Sequence, residues 1–346
     1  RFKYKGTFNE VWTLRAFGYQ YMMSALRGRI ARGIETIVRE ADKNGVAVLG
    51  LGALNKAEFI NHGGEDLVNA FEPQKTRIVH GNTLTAAVVV ENVKQAFERG
   101  IDVPGDPDVT GDVDVTGCGE VNTTGNTAAA REEKTALPPR VFLTGSTSKV
   151  GRAVALKLAL DGYDVVCCSS SDERFASLQW ELRALRSRSG KREGTGLALQ
   201  EGFPDGGAFS GYSDGGVETK DAGTLLRARR VDEGVRHRLW VIGKYDTSVR
   251  LHVPLGASAV VFAVPCPLEG YRSDVSVVTG GILRMDASLC SPRRFHFLLP
   301  FDQLYACHAA AIVHYRMGWR HHEVGKVDVS RMEPTLQAAH DCGFHI

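Results

Sequence analysis

Arg140-Val-Phe-Leu-Thr-Gly-Ser-Thr-Ser-Lys-Val-Gly151 is the stretch that decides the fold of this 346-residue chain. Val141 to Leu143 reads as a short apolar strand, and Thr144-Gly145 opens a polar turn. Gly151 begins a helical run, Arg152 to Leu160, and Gly162 precedes a second strand over Asp164 to Cys168. Strand, turn, helix and strand make a βαβ unit, and its glycines stand where a dinucleotide phosphate would sit. Gly145 permits a tight turn, and Gly151 lets the helix approach the strand. The helix start offers unpaired N–H groups and partial positive charge to an anion. The middle glycine of the usual fingerprint is absent, with Ser148 or Lys149 in its place. The candidate cofactor-binding residues are therefore Gly145, Ser146, Thr147, Lys149 and Gly151. A purely structural turn is the competing reading.

Elements of the same kind lie on both sides. Residues 29–43 carry an apolar stripe at Ile30, Ile34, Ile37, Val38 and Ala41, closed by Asn44-Gly45. Residues 46–51 form a continuous apolar run, as in a buried parallel strand. A helix over 65–71, a strand over 77–80 and a helix over 83–98, capped by Asn82 or Thr83, follow. Strands are expected over 238–242 and 259–264, and helices over 301–316 and 333–340. The alternation predicts an α/β, Rossmann-like chain, with a mostly parallel sheet and helices on both faces. Two segments break it. Residues 102–139 are rich in Gly, Asp, Thr, Val and Pro, with a tandem hexapeptide at 106–117; residues 187–234 are rich in Gly, Arg and Ser. Both read as disordered insertions, and Arg227, Arg229 and Arg230 as part of a solvated linker. Residues 29–346 are expected to form one domain around these insertions.

Composition narrows the function. A net charge of +2 gives no reason to expect a nucleic-acid partner. Seven cysteines without regular spacing argue against a disulfide framework, and Cys167-Cys168 reads as inert strand core. No tyrosine has a lysine four residues later, which removes the Tyr/Lys proton transfer of short-chain dehydrogenases. No G-x-S-x-G elbow occurs. Gly50-Leu-Gly52 is a lone G-x-G and reads as a structural turn. The late histidines, His308, His314, His321 and His322 with Glu323, do not have metal-ligand spacing and read as surface or helix-terminal residues, with no metal expected.

Several short motifs in order carry a family resemblance. They are Val11-Trp12, Phe17-Gly-Tyr-Gln-Tyr21, Leu51-Gly-Ala-Leu-Asn-Lys56 and His80-Gly-Asn-Thr-Leu-Thr-Ala-Ala87, then Thr144 to Gly151, Leu239-Trp-Val-Ile-Gly243, Ala309-Ala-Ala-Ile-Val-His314, Gly318-Trp319 and His322-Glu-Val-Gly325. The series resembles the C-terminal domain of the eceriferum-type very-long-chain aldehyde decarbonylases of plant and algal wax alkane synthesis. The resemblance implies a parent enzyme of lipid metabolism at the cytosolic face of the endoplasmic reticulum membrane. Residues 1–28 would be the junction to an N-terminal membrane domain, and iron is expected only in the histidine boxes of that domain. The chain itself would be soluble and meet the membrane only through that domain. It would bind NADPH or a very-long-chain acyl or aldehyde substrate. Alternatively, it would be a non-catalytic assembly module for a sister subunit or a reductase.

Overall fold

The computed structural model describes residues 2–71, 75–99, 138–190, 223–244, 248–263, 271–286 and 299–346. The chain opens with a small antiparallel pair, β1 (Phe2–Tyr4) and β2 (Thr7–Asn9), then α1 (Gly18–Met22) and α2 (Ser24–Lys43). β3 (Val48–Gly50), α3 (Glu58–Asn61), α4 (Glu65–Phe71) and β4 (Arg77–Val79) follow, and β3 and β4 pair in parallel. α5 (Asn82–Glu98) leads towards the unit foreseen from the glycine turn: β5 (Arg140–Thr144), α6 (Lys149–Leu160) and β6 (Asp164–Cys168). Next come α7 (Asp172–Gly190), β7 (Leu225–Ala228), β8 (Leu239–Ile242), α8 (Val249–His252), β9 (Ser258–Val261) and β10 (Ser276–Thr279). The chain closes with β11 (Ile282–Met285), β12 (Gln303–Tyr305), α9 (Ala306–Arg316), α10 (Met332–Asp341) and β13 (Phe344–His345).

The main sheet has six strands, all parallel, in the order β10-β9-β8-β5-β6-β7. Numbered from β5, that is the doubly wound order 3-2-1-4-5-6, whose direction reverses between β5 and β8. Alternation sorts the side chains onto two faces. Val141, Leu143, Val165, Cys167 and Val241 join α5, α6 and α7 in one core. Phe142, Val166, Trp240 and Ile242 join Val249 and Val253 in another. Both faces are buried, which is why these strands read as apolar runs rather than alternating ones.

α5 is buried nearly all round. Ala86, Val89, Val90 and Val93 pack on the main sheet's core, while Leu84 and Val88 face a second core with α9, α10 and the antiparallel sheet β12-β11-β13. The helix is thus a wall shared by both.

Several expectations change. α5 is capped by Gly81, at φ +66°, rather than by Asn82 or Thr83. Residues 301–316 are not one helix: Gln303–Tyr305 pairs with β11, and the helix starts at Ala306. The two ends of the expected linker 187–234 are built in, because α7 runs to Gly190 and Leu225–Ala228 is an edge strand. Arg227 is not solvated linker; it is half-buried and paired with Asp172. The tandem hexapeptide at 106–117 lies outside the described residues. The first 28 residues hold more than a junction, since Tyr4 is fully buried, stacks on Phe344 at 5.1 Å and donates its hydroxyl to Cys342 O at 3.0 Å.

His314, expected near the surface, is also fully buried. Its Nε2 donates to His321 O at 2.8 Å, and its Nδ1 has no partner among the described groups. Burial pushes its pKa down to about 4. The folded imidazole is therefore neutral, and the unfolded chain takes up the proton first as pH falls below about 6.5. Stability held at neutral pH is lost between about pH 6.5 and 4, by on the order of 3 kcal/mol in full. His314→Leu should flatten the fall of Tm between pH 7 and 4.5, read by calorimetry; an unchanged slope would refute this role.

Candidate functional site

The phosphate-type turn stands at the C-terminal ends of β5 and β8, in the crevice where the strand order reverses. Gly145 has φ +72°, and a Cβ there would come within 3.1 Å of Gly243 C. Gly243 N–H donates to Thr144 O at 3.1 Å, which closes the two loops on each other. A Cβ on Gly151 would collide with Gly145 O, so the helix can lie this close only without a side chain. Ser148 caps α6, its Oγ accepting from Gly151 N–H at 3.1 Å. The first-turn N–H groups of Lys149 and Val150 have no partner within the helix.

The five residues singled out in the sequence do not all face the same way. Ser146 is fully buried with its hydroxyl beside the Cys167 thiol, whose pKa burial raises to about 12. Its backbone remains in the turn, but its side chain points away from any anion at the surface. Thr147 is half-buried. Lys149, which with Ser148 stands where the middle glycine is missing, reaches across to the α3 region. Its Nζ lies 2.5 Å from Glu58 Oε2, and a Cβ on Gly63 would collide with it.

Two further features border the turn. Asp172, four residues past the tip of β6, is not free for a ribose: it pairs with Arg227 and, at 3.1 Å, with the exposed Arg229. Beside it the β6 tip presents Ser170 and Ser171, both at the surface or partly so. Hydroxyls and arginine at this place suit a 2′-phosphate better than a bare ribose diol.

The second feature was missed in the sequence. Motifs far apart in the chain meet at the C-terminal ends of β3 and β4. Glu323 bridges to Val79 as a further parallel rung, with His80 N–H donating to Glu323 O and Glu323 N–H to Ile78 O, each at 2.8 Å. This brings the Glu323 carboxylate into the fold at the start of α5. Its Oε1 lies 2.8 Å from His80 Nδ1 and accepts from Thr83 N–H at 3.3 Å. Burial pushes the carboxyl pKa up, but the hydrogen bonds of His80 and Thr83 outweigh it and hold the group below its ordinary value. A carboxylate here also meets the positive end of the helix dipole. His80 is itself fully buried, and its Nε2 has no partner among the described groups. Its Nδ1 also lies 3.1 Å from the Asn82 backbone nitrogen, so a carboxylate and a backbone N–H converge on one ring nitrogen. Lys56 Nζ donates to His80 O at 2.5 Å, and the α9 backbone at Cys307 packs so closely on Gly81 that a Cβ would collide with it. The signal lay in the motifs Leu51 to Lys56, His80 to Thr83 and His322 to Gly325, but nothing in their spacing shows that they converge.

The two sites are neighbours. Gly325 N–H donates to Gly63 O at 3.1 Å, and Gly63 is the residue under the Lys149 ammonium. No group of three or more His, Cys, Asp or Glu is placed to hold a metal ion among the described residues.

Comparison with known proteins agrees with the resemblance. Residues 217–345 match the family described as CER1-like, C-terminal domain. The chain is 28% identical over 339 residues to very-long-chain aldehyde decarbonylase GL1-2 of Oryza sativa subsp. indica, covering 98% of this chain and 42% of the relative. It is 27% identical over 339 residues to GL1-1 of Oryza sativa subsp. japonica, with the same coverage. A shorter match, 35% over 96 residues, is to very-long-chain aldehyde decarbonylase CER1 of Arabidopsis thaliana and covers 27% of this chain. The chain thus spans less than half the length of these relatives, and the Gly145 turn lies outside the residues matched by the family.

Replacing Glu323 by Ala should cost roughly 1–3 kcal/mol in urea unfolding, because it leaves the buried His80 ring and the Thr83 N–H without their acceptor. Asp66→Ala, which removes the exposed partner of His62, should leave the midpoint nearly unchanged. Equal effects of the two would contradict the distinction.

Proposed function

We propose that this chain, a relative of the very-long-chain aldehyde decarbonylases with a CER1-like C-terminal domain at 217–345, is the dinucleotide-binding Rossmann-like part of an aldehyde-handling protein of wax and alkane synthesis. The single observation that carries the reading is the placement of the Gly145–Gly151 turn at the reversal point of a six-stranded parallel sheet in the order 3-2-1-4-5-6. The residues fit such a ligand. Gly145 and Gly151 bring backbone close to the crevice, and the N–H groups of Lys149 and Val150 face it at the start of α6. Lys149 adds a cation, and Thr147 a hydroxyl. Arg229, with Ser170 and Ser171, favours NADPH over NADH. When bound, the nicotinamide would supply hydride chemistry; the chain's own part is to hold the phosphates, beside the buried His80–Glu323 pair. The substrate class we propose is the very-long-chain aldehyde named for the relatives, or the corresponding acyl group, and the proposed place of action is the cytosolic face of the endoplasmic reticulum.

The competing reading, a non-catalytic module that assembles with a sister subunit or a reductase, draws on one observation. The glycine that elsewhere lets the pyrophosphate approach is absent, with Ser148 or Lys149 in its place, and the ion pair of Lys149 with Glu58 closes over the turn.

Calorimetric titration separates the two. NADPH should bind, and Arg229→Ala should weaken it by roughly tenfold while leaving NADH unaffected, since one charge-assisted contact to the 2′-phosphate is lost. Glu58→Gln, which frees Lys149, should tighten NADPH. No heat of binding at millimolar NADPH would remove the dinucleotide reading and leave assembly.

A further inference from the structure

Residues 11–34 contain four arginines, Arg15, Arg27, Arg29 and Arg32, and no Asp or Glu. The same stretch leaves large apolar side chains in water. Phe17 is 70% exposed, Tyr19 65% and Met22 56%, with Trp12 and Met23 also exposed. The Phe17 and Tyr19 rings lie nearly parallel, 6.0 Å apart. The fold has no use for these groups, because α2 already buries its inner stripe through Ile30, Ile34 and Val38, and Tyr21 turns inward to bond Asn55 at 2.5 Å. The patch continues onto the next segment: Leu54 lies against Gly18, and Arg27 sits over the Phe59 ring at 4.5 Å. A contiguous apolar patch of this kind on a folded surface marks a docking site.

We propose that this surface docks on an anionic lipid bilayer and lies in its headgroup region. The charge chooses the occupant. Arg15, Arg29 and Arg32 are exposed and Arg27 is partly so, while the carboxylates next to the stretch are Glu10, which accepts the Trp12 indole N–H at 3.0 Å, and Glu35, so the four arginines outnumber them. Basic residues beside exposed aromatic rings match a negatively charged interface, where the cations meet phosphates and amphipathic rings settle at headgroup depth. No described helix is long and apolar enough to cross a bilayer, so the contact is one of lying on the membrane. This inference is independent of nucleotide binding.

Co-sedimentation of this chain with vesicles tests it. Binding is expected to vesicles of phosphatidylcholine mixed with phosphatidylserine, to be much weaker to phosphatidylcholine alone, and to fall with added salt. Reversing two exposed charges, Arg29→Glu with Arg32→Glu, should lower the partition coefficient at least roughly 30-fold. Phe17→Ser with Tyr19→Ser should lower it by roughly tenfold or more. Circular dichroism and thermal melting of both variants should match the wild type, as all four side chains are exposed. Failure to bind anionic vesicles would overturn the proposal, as would variants that bind like the wild type. A vesicle-independent dimer abolished by the Phe17/Tyr19 substitutions would overturn it too, by giving the face to a second copy of the chain.

Discussion

The start of α5 ends against a buried carboxylate, and much of the molecule hangs on that contact. Glu323 comes from near the C-terminus, runs as a rung beside β4, and meets both His80 and the Thr83 N–H. The helix whose first turn it meets is the wall between two cores, one under the six-stranded sheet and one with α9 and α10. An ionised carboxylate is costly to bury, and here a helix dipole, an imidazole and backbone donors offset the cost. Gly81 makes the arrangement possible. Its positive φ turns the chain sharply into α5, and its missing Cβ admits the backbone of α9 at Cys307.

The same contact sets the relation between the two polar sites. Glu323 leads within two residues to Gly325, which is bonded to Gly63, and Gly63 lies under Lys149 at the start of α6. The His80–Glu323 pair at the ends of β3 and β4 is thereby held next to the turn at the ends of β5 and β8. Two parallel strand sets present their C-terminal ends to one region, which is where open α/β sheets bind their ligands. The Lys149–Glu58 ion pair spans that region.

The βαβ unit was legible because its signals are local. Two glycines and two apolar runs specify strand, turn and helix within about thirty residues. Strand edges were harder. Leu225–Ala228 carries Arg227 in its middle and sits in a Gly- and Arg-rich stretch, so composition hid an edge strand that pairs with β6. Gln303–Tyr305 has too few residues to show a period of two, and the helical pattern after it absorbed it. The site at His80 and Glu323 was illegible for a different reason. His322-Glu323 looks like a polar surface pair, and its burial depends on a parallel bridge to a strand more than two hundred residues earlier. Ser146 shows the reverse limit: it lies in the turn that the motif marks, but its side chain faces the core and not the crevice.

Hydrogen–deuterium exchange across the Gly145–Gly151 turn, with and without NADPH, tests the central claim most directly. The account predicts slower exchange of the Lys149 and Val150 amides when NADPH is present, since those N–H groups have no partner within the helix and would acquire phosphate oxygens. Exchange in the turn that is identical with and without saturating NADPH would contradict it.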